Sequence, residues 1–292
     1  MAEKTIGVIG GTGLYEIEGL EKVEEVEVDT PFGPPSDNYI VGTLEGARMV
    51  FLSRHGRGHR FLPSEVNYRA NIFGMKKLGV DHIISVSACG SMKHEIEPGH
   101  IVVIDQFIDR TKGRPSTFYG NGIVVHVAFA DPICKDLASI LYQCGRETGA
   151  VMHMGGTYLC MEGPQFSTRA ESHTYRSWGV DVIGMTNVPE AKLAREAEIC
   201  YATLALSTDY DCWREPDEDV SIDSILTIMK GNVERAKKII RAAVPRIPEK
   251  RACACATALQ YTIITDPAMI PDSVKADLDT LVGKYLDKGE AE

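Results

Sequence analysis

The sequence predicts an α/β protein, a single domain built on one mixed β-sheet flanked by helices. Three observations predict it. HIISVSACG (82–90) and IVVIDQF (101–107) are near-continuous apolar runs, the pattern of central strands covered on both faces. Residues 180–211 read as strand, helix, strand in VDVIGM, PEAKLAREAE and ICYATLALSTDYD. The charged, alternating KVEEVEVDT and the stretch NYIVGTLEGARMVFLSRHG, which turns at Glu45-Gly46, add antiparallel strands. A chain of 292 residues can bury a large core, and 44% hydrophobic with 25% charged residues excludes disordered and fibrous classes.

In chain order, TIGVIG (5–10) is a short buried strand of β-branched residues ending in a glycine turn. Pro63-Ser64 opens a helical pattern to about Leu78, with Ser64 as cap and Gly79 as stop. Residues 132–148 read as a helix, TYLCMEG as a strand, and TRAESHTYRSWG as a helix closed by Gly179. A long amphipathic helix follows from about Ser221 to Ala243, then a C-terminal helical segment at about 246–292, with a helix over 272–287. That last helix is either a lid over a ligand or simple packing.

A net charge of −10 disfavours nucleic acid as a partner. The start MAEKTIGVIGG lacks a signal-peptide pattern and no apolar run is long enough to span a bilayer, so the expectation is a cytoplasmic protein without membrane contact. Eight cysteines are too few for a disulfide scaffold. Cys253 and Cys255 lack the C-x-x-C spacing, and no second pair follows them, so the expectation is buried thiols, with disulfides the alternative, and no metal site.

Four clusters fall at predicted strand ends, where open α/β sheets bind ligands: GGTG (10–13), SRHGR (53–57), SACGS (87–91) and STDYD (207–211). Glu16 stands where a dinucleotide fingerprint needs its third glycine, and no Gly-Lys-Ser/Thr follows for a Walker loop. The glycine turn is therefore either an anion cradle with the Thr12 hydroxyl as extra donor, or a plain tight turn. Arg54 offers a donor fork and His55 a further donor, or else the pair is a surface salt bridge or core-edge polar contact; Ser87 and the Ala88 N–H could reach the same anion. Asp209 and Asp211, two apart in an extended chain, would share one face and raise at least one pKa, or else cap the next helix.

Together, GGTGLY, DTPFGPPSD, SRHGRGH, PSEVNYRAN, SACGS, GHIVVIDQFIDRT, RPSTFY, MEGPQFSTRAES, GMTNVPEAKLAREAEICYA and STDYDCW resemble the trimeric purine nucleoside phosphorylase family. Within it they are similar to members acting on S-methyl-5′-thioadenosine, over about residues 5–245. The resemblance implies a nucleoside-phosphorylase-like fold and phosphorolysis to adenine and S-methyl-5-thioribose 1-phosphate. A relative acting on S-methyl-5′-thioinosine or other 6-oxopurine nucleosides is the alternative. It implies a phosphate site of Thr12, Arg54, His55, Ser87, Ala88 and Thr186. Phe166 would stack near the purine and Met185 would lie under the ribose. Asp209 would contact N7 and, with Asp211, the 6-amino group. Ile222 and Ile225 would line the methylthio pocket, which His126 would reach from a neighbouring subunit of a trimer or dimer of trimers. No cofactor is implied, inorganic phosphate being a co-substrate. Ser87 stands where the family often has Thr, Asn187 replaces a common Thr, and Ile222 and Ile225 replace common valines.

Overall fold

The computed structural model describes residues 4–11, 13–214 and 222–286. The predicted architecture is present: among the described residues eleven strands join in one mixed sheet, with helices packed around it. The strands are β1 (Thr5–Gly10), β2 (Glu21–Val26), β3 (Tyr39–Leu44), β4 (Ala47–Ser53), β5 (His82–Ser91), β6 (Ile101–Val103), β7 (Gln106–Arg110), β8 (Met152–Met154), β9 (Thr157–Met161), β10 (Val182–Gly184) and β11 (Cys200–Asp209). The helices are α1 (Tyr68–Lys77), α2 (Lys135–Glu147), α3 (Arg169–Ser177), α4 (Asn187–Glu196), α5 (Ile222–Ala243) and α6 (Asp272–Leu286).

Strand β5 is the axis of the sheet. On one edge β11 runs parallel to it from Cys200↔His82 to Asp209↔Gly90. On the other edge β1 pairs parallel with only its first half, ending at Ile9↔Ser85, and β10 pairs antiparallel with Gly90 and Ser91. Neither of these ladders covers Val86 to Cys89. The sheet therefore forks at the carboxyl end of its central strand, which is where an open α/β sheet exposes backbone donors to a ligand.

The local rules hold with instructive shifts. The β3–β4 hairpin turns at Glu45 and Gly46, both with positive φ (48° and 77°), the geometry of a two-residue primed turn. Thr168 caps α3 through a full capping box with Glu171, and Gly179 follows that helix at φ 81°. Helix α1 starts later than its sequence predicts. Asn67 is the cap, its side chain accepting from the Ala70 N–H, while Ser64 donates instead to Glu162. IVVIDQF divides into β6 and β7 because Asp105 turns away to accept from the Gly156 N–H at 3.0 Å.

The core is one contiguous apolar cluster that includes Leu278, Leu281 and Val282 of α6. A smaller cluster of Met92, Leu159, Tyr175, Val180, Ile183 and Trp213 packs beside the end of β11. Among the described residues no helix is long and apolar enough to cross a membrane.

Gly74 in α1 lies against the Tyr39 ring, and a Cβ there would sit 2.1 Å from the Tyr39 hydroxyl oxygen. Alanine improves helix propensity by about 1 kcal/mol, whereas forcing atoms into a packed core costs about 1–3 kcal/mol. Tyr39 is fully buried and its hydroxyl donates to the Asn71 carbonyl at 2.9 Å, so the ring has no cheap retreat. Gly74→Ala is expected to destabilise the fold in urea titration; an unchanged or raised midpoint would contradict this packing.

Candidate active site

The site is assembled where the sheet forks. Arg54, just after β4, is buried and turned inward. Its Nε donates to Glu190 Oε2 at 2.7 Å and its Nη2 to Glu190 Oε1 at 2.8 Å, while Nη2 also reaches Ser85 Oγ at 2.7 Å. Nη1 donates to the Val86 carbonyl at 3.0 Å. The sequence reading of Arg54 as an open fork for an anion is corrected: the bidentate partner is a carboxylate of α4. Only one Nη1 hydrogen has no protein acceptor among the described residues.

Glu190 is the residue that sequence reasoning missed. It is wholly buried and also accepts from Ser85 Oγ and Tyr201 Oη, each at 2.8 Å. In PEAKLARE it reads as an ordinary solvated helix acid. Nothing in the spacing marks it.

His55 is half-buried, its ring stacked on His59 with centroids 4.2 Å apart. Burial pushes its pKa down to about 4 despite the bond to the Phe61 carbonyl, and the neighbouring Arg54 charge lowers it further. Nδ1 lies 2.9 Å from that carbonyl, which can only accept. The neutral ring therefore carries its proton on Nδ1 and a lone pair on Nε2. To donate from Nε2 it must gain a proton, which a phosphate dianion beside it would favour.

Ser87 and Thr186 are brought together, their hydroxyls 3.1 Å apart, with Tyr158 Oη 3.4 Å from Ser87. Ala88 is exposed at the same strand end, and Gly11 is exposed after β1. Thr12 lies outside the described residues. Asn187, one residue past Thr186, is buried and donates to Thr203 Oγ1 at 2.6 Å and Tyr201 Oη at 3.1 Å, anchoring the start of α4 to β11.

Three residues farther along β5 is the acid pair. The β11 ladder shifts register between Ser207 and Asp209, and this bulge re-aims Asp209 toward Gly90. A Cβ on Gly90 would stand 3.0 Å from Asp209 Oδ1 and 3.3 Å from the Asp211 Cβ, so only glycine leaves room for both acids. Asp211 is not on an extended strand face as its spacing predicts. It has φ 49°, and its N–H donates to Asp209 Oδ1 at 2.8 Å. Thr208 Oγ1 donates to Asp209 Oδ2 at 2.7 Å and Ser172 Oγ to Asp211 Oδ2. Burial raises the Asp211 pKa and the Asp209 charge adds to this, against the lowering by Ser172.

The remaining candidates surround this line. Met185 is half-buried, and its carbonyl accepts from Arg114 Nη1 at 2.7 Å; Arg114, also buried, pairs with Glu162 at 3.3 Å. Phe166 is 82% exposed, next to Ser167, whose carbonyl accepts from Cys212. A cavity of about 90 Å³ lies at the fork, with Gly11, Val86, Ala88, Thr208 and, from α5, Met229 and Asn232 in its wall. Ile222 and Ile225 are at α5 positions two turns and one turn before Met229, respectively, and their side chains lie outside the described residues. His126 is exposed, its N–H bonded to the Thr262 carbonyl, and no contact joins it to the fork among the described residues. A larger open cavity, about 440 Å³ over residues 27–38 and Arg60, includes none of these groups.

A sheet forked at its central strand, with hydroxyl and amide donors at one end of a short cleft and paired carboxyls at the other, defines a nucleoside-cleaving phosphorylase class of site. The chain belongs to the phosphorylase superfamily, whose family model matches residues 5–245. It is 65% identical to the S-methyl-5′-thioadenosine phosphorylase of Geobacter sulfurreducens over 97% of this chain and 100% of that protein. A methylthioadenosine phosphorylase from an antarctic soil metagenomic library superposes with a TM-score of 0.92 at 46% identity, covering 96% of this chain and 99% of that one. The Schistosoma mansoni methylthioadenosine phosphorylase in complex with adenine gives a TM-score of 0.83 at 37% identity, covering 89% of this chain and 99% of that one.

Breaking a buried ion pair by removing one partner strands the other charge, at a cost of about 3–5 kcal/mol. Glu190→Gln and Arg54→Met are each expected to lose that much in denaturant titration. The double replacement Arg54→Met with Glu190→Leu is expected to lose less than the sum, because no charge is left uncompensated. Single variants within about 1 kcal/mol of the parent would show that the pair does not hold the fork.

Proposed function

We propose that the chain catalyses the phosphorolysis of S-methyl-5′-thioadenosine, giving adenine and S-methyl-5-thioribose 1-phosphate, as a step of methionine and purine salvage. One observation carries the reading. Ser87, with Thr186 beside it, and Gly90, with Asp209 and Asp211 beside it, are three residues apart on β5. That is about 10 Å of strand, enough for a phosphate at one end and a purine at the other with a ribosyl group between. The names of the similar proteins support the same substrate.

In this mechanism phosphate binds among Thr12, Ser87, Thr186, the Ala88 N–H, the free Nη1 hydrogen of Arg54 and a protonated His55. A phosphate oxygen attacks C1′ as the C1′–N9 bond breaks and its electron pair moves into the purine. The ribosyl group becomes oxocarbenium-like, and the phosphate anion beneath C1′ stabilises it. Asp209, when protonated, supplies a proton or hydrogen bond to N7 and, with Asp211, reads the 6-amino group, from which Asp211 accepts as a carboxylate. A carboxylate at that position faces an unfavourable oxygen contact with a 6-oxo base, so adenine is preferred. Phe166 covers the base and Met185 the ribose. Ile222 and Ile225 of α5, with His126 of a neighbouring subunit, enclose the methylthio group in a homotrimer or dimer of trimers. The reaction needs no redox cofactor, and the protein works in the cytoplasm.

Adenine release is measured from S-methyl-5′-thioadenosine with and without inorganic phosphate, beside S-methyl-5′-thioinosine, adenosine and inosine. The expected result is phosphate-dependent release, fastest from the methylthio adenine nucleoside. Faster turnover of the 6-oxo substrates would overturn the reading of the aspartates, and no release from any would overturn the activity. Asp209→Asn is expected to lower adenine-nucleoside turnover by about 10²–10⁴ and shift preference toward 6-oxopurines; unchanged preference would remove Asp209 from the base site.

The pH dependence follows from Asp211. Its carboxyl is raised by burial and by Asp209, and the ionised form is the acceptor, so activity is present above that pKa and lost as pH falls through it. The acid limb of kcat/KM for the adenine substrate is expected at higher pH than an ordinary aspartate gives. A limb in the usual carboxylate range, about 4, would contradict the assignment.

A further inference from the structure

Four cysteines that are far apart in sequence meet at the opposite end of the sheet. The Sγ atoms of Cys134, Cys200, Cys253 and Cys255 all lie within 4.8 Å of one another, with Cys200 to Cys253 at 3.3 Å and Cys134 to Cys253 at 3.9 Å. We propose that these four thiols form a closed tetrathiolate site for zinc(II).

The expectation of no metal site rested on Cys253 and Cys255 having no second pair nearby in sequence. The fold supplies that pair from the N-cap of α2 and the first residue of β11. A zinc ion with four sulfurs at about 2.3 Å sets them on a tetrahedron of edge about 3.8 Å. The two separations of Cys253 bracket that edge. All four are free thiols, and Cys253 stands well beyond the about 2.05 Å of a disulfide from both Cys200 and Cys134. Mutual approach of all four sulfurs is what a single central ion satisfies.

The surroundings suit the charge of such a site. Cys134, Cys200 and Cys255 are buried and Cys253 is half-buried, as in closed structural sites. The Cys134 side chain makes no cap bond at the start of the 13-residue α2, so its sulfur sits at the positive end of the helix dipole. Arg251 borders the same small cavity as Cys134, Cys200 and Cys253. The cleft is not disturbed: Cys200 opens β11 and Asp209 closes it, so about 30 Å separate the two sites. Binding exchanges the thiol protons for the ion and releases them to solvent. The ion would then fasten residues 253–255, and the C-terminal segment they lead into, to the sheet.

The test uses the full-length chain, reduced and stripped of metal under anaerobic conditions, then titrated with zinc(II) or cobalt(II) alone. The expected results are one ion bound per chain, the intense visible bands of tetrahedral cobalt with thiolate charge transfer, and protection of four cysteines from alkylation that a strong chelator reverses. Cys253→Ser and Cys255→Ser are expected to lose the stoichiometric tetrahedral cobalt signal, and Cys212→Ser to keep it. Should the serine variants fail to fold, the cobalt spectrum and the alkylation map of the parent chain decide. Less than a tenth of an equivalent bound, a weak octahedral spectrum, or disulfides among these four in protein trapped with alkylating agent would overturn the proposal.

Discussion

The candidate site depends on one buried ion pair. Arg54 and Glu190 are both out of water, 3% and 0% exposed in their side chains, and neither charge is tolerable there without the other. The pair joins five elements, because Arg54 also reaches carbonyls near the end of β1 and in the middle of β5, and Glu190 also holds hydroxyls from β5 and β11. Helix α4, which carries Glu190, begins directly after Thr186. Fixing Glu190 therefore fixes the Thr186 hydroxyl against Ser87. An arginine drawn from a strand end thus shapes the cleft chiefly through its carboxylate partner.

With the fork held, the rest of the site follows from strand geometry. Where β1 leaves β5 and β10 has not yet joined it, the backbone of Val86 to Cys89 is released from pairing on one edge. Where β10 does join, Ile183 pairs with Gly90, and the chain beyond β10 brings the Thr186 hydroxyl to 3.1 Å from that of Ser87. The bulge after Ser207 then decides which way Asp209 faces. A regular ladder would put Ser207 and Asp209 on one side of the sheet, and Ser207 is wholly buried. One extra residue at Thr208 turns the acid out of the core and into the cleft.

Much of this was legible in the sequence, for physical reasons. β1, β5 and β11 are apolar runs bounded by glycine or acid clusters, so burial on both faces and the place where it ends are written locally. The Glu45-Gly46 turn and the Thr168 cap are short-range devices and read directly. The start of helix α1 is not decided locally, because Ser64 and Asn67 are both competent caps and the choice depends on Glu162, nearly a hundred residues away. The Asp209–Asp211 geometry was misread because a bulge depends on the partner strand. Glu190 and the cysteine cluster leave no local signal at all. A buried carboxylate in a helix and four thiols at 134, 200, 253 and 255 acquire their meaning only from chain crossings.

The C-terminal helix shows how topology chooses between two readings that the sequence leaves equal. An amphipathic helix can close over a ligand or pack for stability, and α6 has the apolar face for either. Its polar contacts settle the matter within this chain. Lys284 pairs with Glu198 at 2.5 Å and the Tyr285 hydroxyl donates to the same carboxylate at 2.6 Å. Glu198 also accepts from the Leu259 N–H at 3.0 Å, so one buried acid gathers the whole C-terminal segment. It stands two residues before β11, whereas Asp209 ends that strand, about 30 Å away. A helix tied at the amino end of the strands cannot shield a cleft at their carboxyl end. The segment instead closes the bottom of the sheet, where Cys253 and Cys255 meet Cys134 and Cys200, and leaves the cleft at the top to other elements.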